Sequence, residues 1–115
     1  MAKIKIKNLY AKDLENLEKY KTYKEIEIEY QSNYDDEKFA KTVSMWMEKR
    51  IDAIEAYDIL AKDMVISPVE AQNHNFFGKN AAAATGRLLP FLLKFGNEDM
   101  MKANAELELE EVAGE

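Results

Sequence analysis

The sequence contains few residues that could perform catalysis, and its only histidine is the first to consider. His74 stands among Asn73, Asn75, Phe76 and Phe77. A catalytic imidazole needs an orienting carboxylate and a nucleophile close by, and the sequence indicates neither. A histidine beside two phenylalanines is more often a capping or half-buried residue. The serines lie in no nucleophile-elbow context, so the sequence predicts no catalytic residue.

Metal and phosphate sites are equally weakly indicated. The absence of cysteine excludes disulfides, Cys-ligated zinc and iron–sulfur clusters. Asp35-Asp36-Glu37 lacks the spaced oxygen ligands and the glycine of a calcium loop, and helix capping already explains it. Gly78-Lys79-Asn80 matches the end of a phosphate loop, but Asn73 stands where that loop needs glycine. We therefore expect no metal, no cofactor and no enzymatic activity.

Three groups of residues point instead to the binding of another protein. The first is a run of two methionines and a tryptophan on adjacent faces of one helix, which cannot all face one core unless the helix is buried all round. The second is a nearly all-apolar segment, residues 88–95, which forms either a core helix, the favoured interpretation, or a surface for a client or a second copy. The third is the glutamate-rich end, which is either a solvated face or a contact for a basic partner. The candidate partner-binding residues are Met45, Trp46 and Met47, then Leu92 and Phe95, and finally Glu106, Glu108 and Glu110.

Length and composition bound the class of protein. The chain has 115 residues, of which 47% are apolar and 33% charged, so one globular domain spanning residues 1–115 is expected. No apolar stretch reaches the roughly 20 residues of a membrane span, and the lysine-rich start lacks the apolar segment of a signal peptide. We expect a soluble, cytoplasmic protein without membrane association. Nucleic-acid binding is disfavoured because the net charge is −6 and the basic residues 1–24 have an acidic counterpart in residues 97–115.

Two segments alternate with the period of two that is typical of strands. Residues 3–7 alternate lysine with isoleucine, and residues 25–30 alternate glutamate with isoleucine or tyrosine. If the two segments pair, each lysine faces a glutamate and the isoleucines share the buried face. Opposite-charge pairs contribute about 0.2–1 kcal/mol each and penalise wrong registers. The pattern leaves the strand direction open, and it predicts a short helix between the strands, over residues 9–23.

Residues 35–65 form the clearest helical segment of the sequence. Apolar residues recur there in steps of three and four, and no glycine or proline interrupts them. Asp35 is a possible N-cap, and the acidic residues after it suit the positive end of a helix dipole. The sequence predicts one long helix on the order of 45 Å, so one end is expected to project or to pack on a partner.

The later helices are predicted from their ends. Ser67-Pro68-Val69-Glu70 has the pattern of a capping box with proline at the first helical position, and Gly78 is expected to end that helix. Another helix is expected to begin after Asn80. Pro90 should kink or split it, because proline lacks the N–H that bonds to the preceding turn. Gly96 is expected to end it.

The acidic end of the chain has two interpretations. Residues 100–112 are rich in helix formers, whereas residues 106–110 alternate with a period of two. As a strand, this segment would flank residues 3–7 on the side opposite residues 25–30. Residues 105–115 are therefore expected either to fray or to form an edge strand. Together the elements predict an α+β fold: a helix-rich single domain with a small two- or three-stranded sheet and one long helix.

The layout resembles that of small accessory proteins of tailed bacteriophages, in particular tail assembly chaperones. The resemblance lies in the N-terminal strand 3–8, the long helix from Asp35 to Leu60, the restart at Ser67-Pro68 and the glutamate-rich end. It includes no diagnostic motif, so no site residue is transferred. It implies a non-catalytic protein that binds aggregation-prone tail-tube or tape-measure chains before assembly. Two alternatives are an acidic anti-defence inhibitor from a mobile element that mimics nucleic acid, and a small structural subunit that forms a homo-oligomer.

Overall fold

The computed structural model describes the backbone of residues 2–31 and 35–106, and the side chains of residues 3–31 and 35–98. Within these residues, a three-stranded antiparallel sheet packs against three helices and two 3₁₀ segments, which confirms the α+β class. The strands are β1 (Ala2–Asp13), β2 (Asn16–Tyr30) and β3 (Val65–Ser67), and the helices are α1 (Asp36–Met47), α2 (Ala53–Met64) and α3 (Ala81–Glu106). The first 3₁₀ segment is Val69–Gln72 and the second is His74–Asn80.

The predicted pairing of the first two charged strands is confirmed, and its direction is antiparallel. Every lysine of residues 3–7 lies opposite a glutamate of residues 25–29, and Ile4 and Ile6 lie opposite isoleucines. The isoleucines pack toward the core, while the lysines are exposed. A shift of one residue would bury the charges, so the charge pattern and the apolar pattern specify the same register. The paired residues are Lys3–Glu29, Ile4–Ile28, Lys5–Glu27, Ile6–Ile26 and Lys7–Glu25.

The helix predicted over residues 9–23 is wrong, because both strands continue through this segment. They join at a turn in which the Asp13 Oδ1 accepts a hydrogen bond from the Glu15 N–H at 2.9 Å. The alternation of residues 3–7 stops at Asn8, where the backbone is left-handed with φ of 57°. Past Asn8 the buried positions change from even to odd numbers, and the register with β2 is kept. The break in alternation conceals the rest of the hairpin from a reading by periodicity.

The single long helix predicted over residues 35–65 is also wrong, because α1 and α2 are separate. Helix α1 ends in a Schellman motif, in which the N–H groups of Lys49 and Arg50 bond to carbonyls of the preceding turn. Lys49 takes the left-handed position that glycine usually occupies, with φ of 61°. Asp52 then caps α2, its Oδ1 accepting a hydrogen bond from the Glu55 N–H at 2.8 Å. No glycine marks this end, which is why the sequence pattern runs through it.

The long helix of the fold is α3, and neither Pro90 nor Gly96 interrupts it. Pro90 is exposed, and buried leucines on both sides of it hold the helix on the core. Gly96 lies inside the helix, and Phe39 of α1 packs against it. A Cβ atom at position 96 would come within 2.1 Å of the Phe39 ring. The glycine therefore permits a close approach of two elements and does not end the helix.

The segment after α2 differs from the capping-box prediction. Residues 65–67 form the short strand β3, which pairs with β2 at Glu29 and Tyr30. The Ser67 side chain caps no helix, and the following turn is 3₁₀ with Pro68 as its N-terminal flanking residue. β3 is the third strand of the sheet and lies beside β2. The alternative of an acidic edge strand beside β1 falls largely on residues that the structure does not describe. In the structure α3 extends to Glu106, so residues 100–106 are helical, and residues 107–115 lie outside the described part.

The core contains two tyrosines that differ in the state of their hydroxyl groups. The Tyr57 hydroxyl donates a hydrogen bond to the Ala71 carbonyl oxygen. The Tyr30 hydroxyl is buried and has no hydrogen-bond partner among the described residues. Burial raises the pKa of both tyrosines well above the ordinary value, and the nearby Tyr30 and Asp58 raise the pKa of Tyr57 further. The largest fully buried side chains around them include Phe39, Phe76, Phe77, Ile28, Met64, Leu89 and Leu92.

Candidate functional site

A groove of about 250 Å³ separates the outer edge of β1 from α3. The strand forms one wall, and one side of the helix forms the other. Both walls include apolar and basic side chains. The lining residues are Ile4, Lys5, Ile6, Lys7, Asn8 and Leu9 of the strand and Ala84, Arg87, Leu88 and Phe91 of the helix.

The strand wall of the groove is an edge of the sheet. The strand order is β1-β2-β3, so in the described part of the chain no strand lies on the outer side of β1. An edge strand presents a row of backbone N–H and C=O groups that can pair with another chain. Natural proteins often cover such edges with a helix or a loop. Here the groove lies between this edge and α3. Among residues 2–31 and 35–106, no strand pairs with this edge, so it can accept an added strand.

The helix wall of the groove supplies apolar surface. Phe91 is 43% exposed, whereas Leu88 beside it is buried in the core. An exposed aromatic ring next to a buried leucine provides a contact for an apolar side chain, with gain proportional to the area removed from water. The groove thus combines an open backbone edge with an apolar helix face.

The charged residues that line the groove are all basic. Lys5, Lys7 and Arg87 are exposed, and none of them forms an ion pair with a described residue. The ion pair found across β1 and β2 joins the Lys3 Nζ to the Glu27 Oε1, at 3.6 Å. Three cationic side chains at the groove therefore remain available to an acidic partner.

The predicted methionine and tryptophan run divides between core and surface. Trp46 is half-buried and packs against the core, and Met45 is half-buried as well. Met47 is 71% exposed, on the last turn of α1. The helix is therefore not buried all round, and the three side chains do not form one continuous exposed patch.

The two predicted residues of α3 belong to the packed side of the helix. Leu92 is fully buried, and Phe95 is half-buried against the Tyr30 ring, with ring centroids 5.6 Å apart. Leu92 and Phe95 therefore belong to the core, which is the favoured interpretation of residues 88–95. The residue that sequence reasoning missed is Phe91, which lies between the buried stripe and the groove. Helical spacing was the available signal, because Leu88 and Leu92 share a face from which Phe91 is rotated.

The acidic residues named as partner contacts lie at the limit of the described chain. Glu106 is the last residue of α3, and its side chain is outside the described set. Glu108 and Glu110 lie outside the described residues altogether. None of the three can be placed relative to the groove.

The structure gives His74 the orienting carboxylate that the sequence did not indicate. The His74 Nδ1 lies 2.5 Å from the Asp58 Oδ2, and the His74 backbone N–H donates to the Asp58 Oδ1 at 2.7 Å. The hydrogen bonds of the described residues give His74 no further partner that could act as a nucleophile. This pair ties the second 3₁₀ segment to α2, and we interpret it as structural.

The described residues include neither a metal-binding cluster nor a membrane-spanning helix. They contain no cluster of three or more histidine, cysteine, aspartate or glutamate residues suited to a metal ion. They also contain no helix that is both long and apolar enough to cross a membrane. Comparisons with known proteins give no significant match, whether to protein-family models, to curated proteins or to solved structures. A function must therefore be argued from the groove itself.

Proposed function

We propose that the protein is a non-catalytic protein-binding factor, and that the groove between β1 and α3 holds an extended segment of a client chain. The observation that supports this function is the open edge of β1 beside the exposed Phe91 ring. In strand addition, main-chain hydrogen bonds supply affinity and pockets for alternate side chains supply specificity. The groove offers both on adjacent walls.

The shape of the groove favours a chain over a small molecule. One wall is a run of six consecutive strand residues, from Ile4 to Leu9. A linear wall of this length matches an extended peptide of similar length. The added strand would lie about 4.8 Å from β1.

An assembly chaperone is the form of this function that we favour. Subunits that assemble through strand pairing carry unpaired edges before assembly, and such edges aggregate. A factor that lends its own edge strand to a client covers the client's edge until assembly. The resemblance to phage tail assembly chaperones is in keeping with such a role.

The alternative of an acidic nucleic-acid mimic depends on the glutamates of the C-terminal end. The groove does not favour it, because the charged residues that line the groove are all basic. The two functions also differ in their dependence on salt. Mimicry by charge weakens steeply as salt rises, whereas strand addition with apolar contacts persists.

Site-specific photocrosslinking tests the proposed function. A photoreactive phenylalanine analogue is placed at position 91 of the full-length protein, which is then exposed to its native lysate at low and high salt. Position 47 is the matched control, because Met47 is even more exposed than Phe91 but lies away from the groove. We expect a discrete crosslinked polypeptide from position 91 at both salt concentrations and none from position 47. Equal crosslinking from both positions, or crosslinking at low salt only, would contradict strand capture in the groove.

A further inference from the structure

We infer that the segment held in the groove is a strand in which acidic and apolar residues alternate. The inference rests on the proposed function and deepens it by naming the sequence class of the client segment. It follows from the two edges of β1. The inner edge already pairs with residues 25–30, Glu-Ile-Glu-Ile-Glu-Tyr. The outer edge presents the backbone and the side chains of the same strand.

The two faces of β1 define the two kinds of side chain that an added strand needs. Ile4 and Ile6 pack toward the core, whereas Lys5 and Lys7 are exposed. Side chains of an added strand alternate between the same two faces. One set would lie beside the isoleucines, and the other set would lie beside the lysines. Apolar residues fit the first set and acidic residues fit the second.

The charges on β1 distinguish this client from a second copy of the chain. Two copies of β1 paired edge to edge would place lysines next to lysines, and like charges directly opposite are destabilising. An acidic strand instead meets Lys5, Lys7 and Arg87, which have no ion-pair partner among the described residues. Charge complementarity therefore favours an acidic client over self-pairing.

Peptide binding to the full-length protein tests the inference directly. The probe is a fluorescein-labelled peptide that copies residues 25–30, and fluorescence anisotropy measures its dissociation constant. One control replaces every glutamate of the peptide by lysine. The other keeps its composition as Glu-Glu-Glu-Ile-Ile-Tyr, so that only the alternation is lost. We expect the alternating acidic peptide to bind at least about tenfold more tightly than either control, because two cross-strand charge pairs, with Lys5 and Lys7, a contact with Arg87 and one apolar face are involved.

Backbone methylation separates strand addition from binding by charge alone. Only alternate residues of an added strand bond to one neighbour. Two further probes carry N-methyl groups on the odd or on the even residues of the acidic peptide. One probe is expected to lose binding about tenfold or more, while the other keeps it. Equal affinity of both methylated probes would overturn strand addition.

Variants of the protein locate the peptide. Phe91→Ala should weaken binding of the acidic peptide about tenfold, since it removes the exposed ring from the helix wall. Met47→Ala is the matched control and should leave the affinity unchanged. If the wild-type protein binds all three peptides with equal affinity and Phe91→Ala weakens each of them, the groove binds extended chains but the acidic preference is overturned. If no peptide binds while position 91 still crosslinks a client, this inference fails and the proposed function stands. A wild-type dimer that Phe91→Ala converts to a monomer would overturn it in favour of self-pairing.

Discussion

The two sides of helix α3 differ in their exposure to solvent. Leu92 is 0% exposed on the packed side, while its neighbour Phe91 is 43% exposed on the open side. The packed side lies against α2 and the second 3₁₀ segment, and the open side faces β1 across the groove. Under the proposed function, this contrast places the contributions to stability and to binding on different faces of one helix. Substitutions should therefore be able to change one property without the other.

The largest expected effect tests the contrast at adjacent residues. Leu92→Ala should lower the free energy of unfolding by about 2–5 kcal/mol, because it removes buried methylene groups and leaves a cavity. Phe91→Ala should lower it by less than about 1 kcal/mol, because the ring is partly exposed. Urea unfolding followed by Trp46 fluorescence measures both. Comparable losses for the two variants would show that the groove wall is part of the core.

The two glycines of α3 should respond to alanine with opposite signs. Gly96→Ala places a Cβ atom against the buried Phe39 ring and should cost about 1–3 kcal/mol. Gly86→Ala meets no atom within 4 Å, so it should stabilise the protein by about 0.5–1 kcal/mol through helix propensity. Thermal unfolding of both variants checks this. A stabilised Gly96→Ala protein would mean that α1 does not approach the packed side of α3 as described.

The buried tyrosines sharpen the description of the packed side. Tyr57→Phe leaves the buried Ala71 carbonyl without its donor and should cost about 1–2 kcal/mol. Tyr30→Phe removes a buried hydroxyl that has no described partner, so it should stabilise the protein by up to about 1 kcal/mol. Urea unfolding at neutral pH compares the two. Destabilisation by Tyr30→Phe would indicate that its hydroxyl has a partner outside the described residues.

Alkaline pH should lower the free energy of unfolding through the same two tyrosines. Burial raises the pKa of each in the folded state, so the folded protein holds these protons more tightly than the unfolded chain. Their contribution is complete below the unfolded pKa of about 10 and is lost as the pH rises above it. Between pH 10 and pH 11 the loss should be about 1 kcal/mol for each tyrosine. The Tyr57→Phe protein should show about half of the tyrosine-dependent loss, and an unchanged loss would contradict this account.

Local patterns of the sequence predicted the paired charged strands but not the full hairpin. The alternating lysines of residues 3–7 and glutamates of residues 25–30 indicate that these segments pair, so the pairing was predictable, whereas its antiparallel direction was not. The left-handed Asn8 interrupts the alternation, and the exposed first half of β2 has no buried stripe to reveal its strand. Asp13 and Asn16 were the available signal, since both side chains form turn hydrogen bonds.

The candidate site was less predictable than the fold. Helical spacing could have separated Phe91 from Leu92, but the width of the groove beside Phe91 depends on how α3 meets the sheet. Gly96 illustrates the difficulty. As a sequence it suggests a helix end, and only its contact with Phe39 explains why glycine stands inside the helix.

The sequence by itself determined the α+β class and the pairing of residues 3–7 with residues 25–30, but not its direction, because alternating charge and apolarity act between neighbouring residues and neighbouring strands. The tertiary structure decided where the helices break, which side of α3 is packed and which edge of the sheet is left open. Those outcomes depend on contacts between residues far apart in the chain, such as Phe39 with Gly96 and Tyr30 with Phe95. Packing of distant elements adds contributions that no local pattern contains, and it is this packing that leaves the groove beside β1.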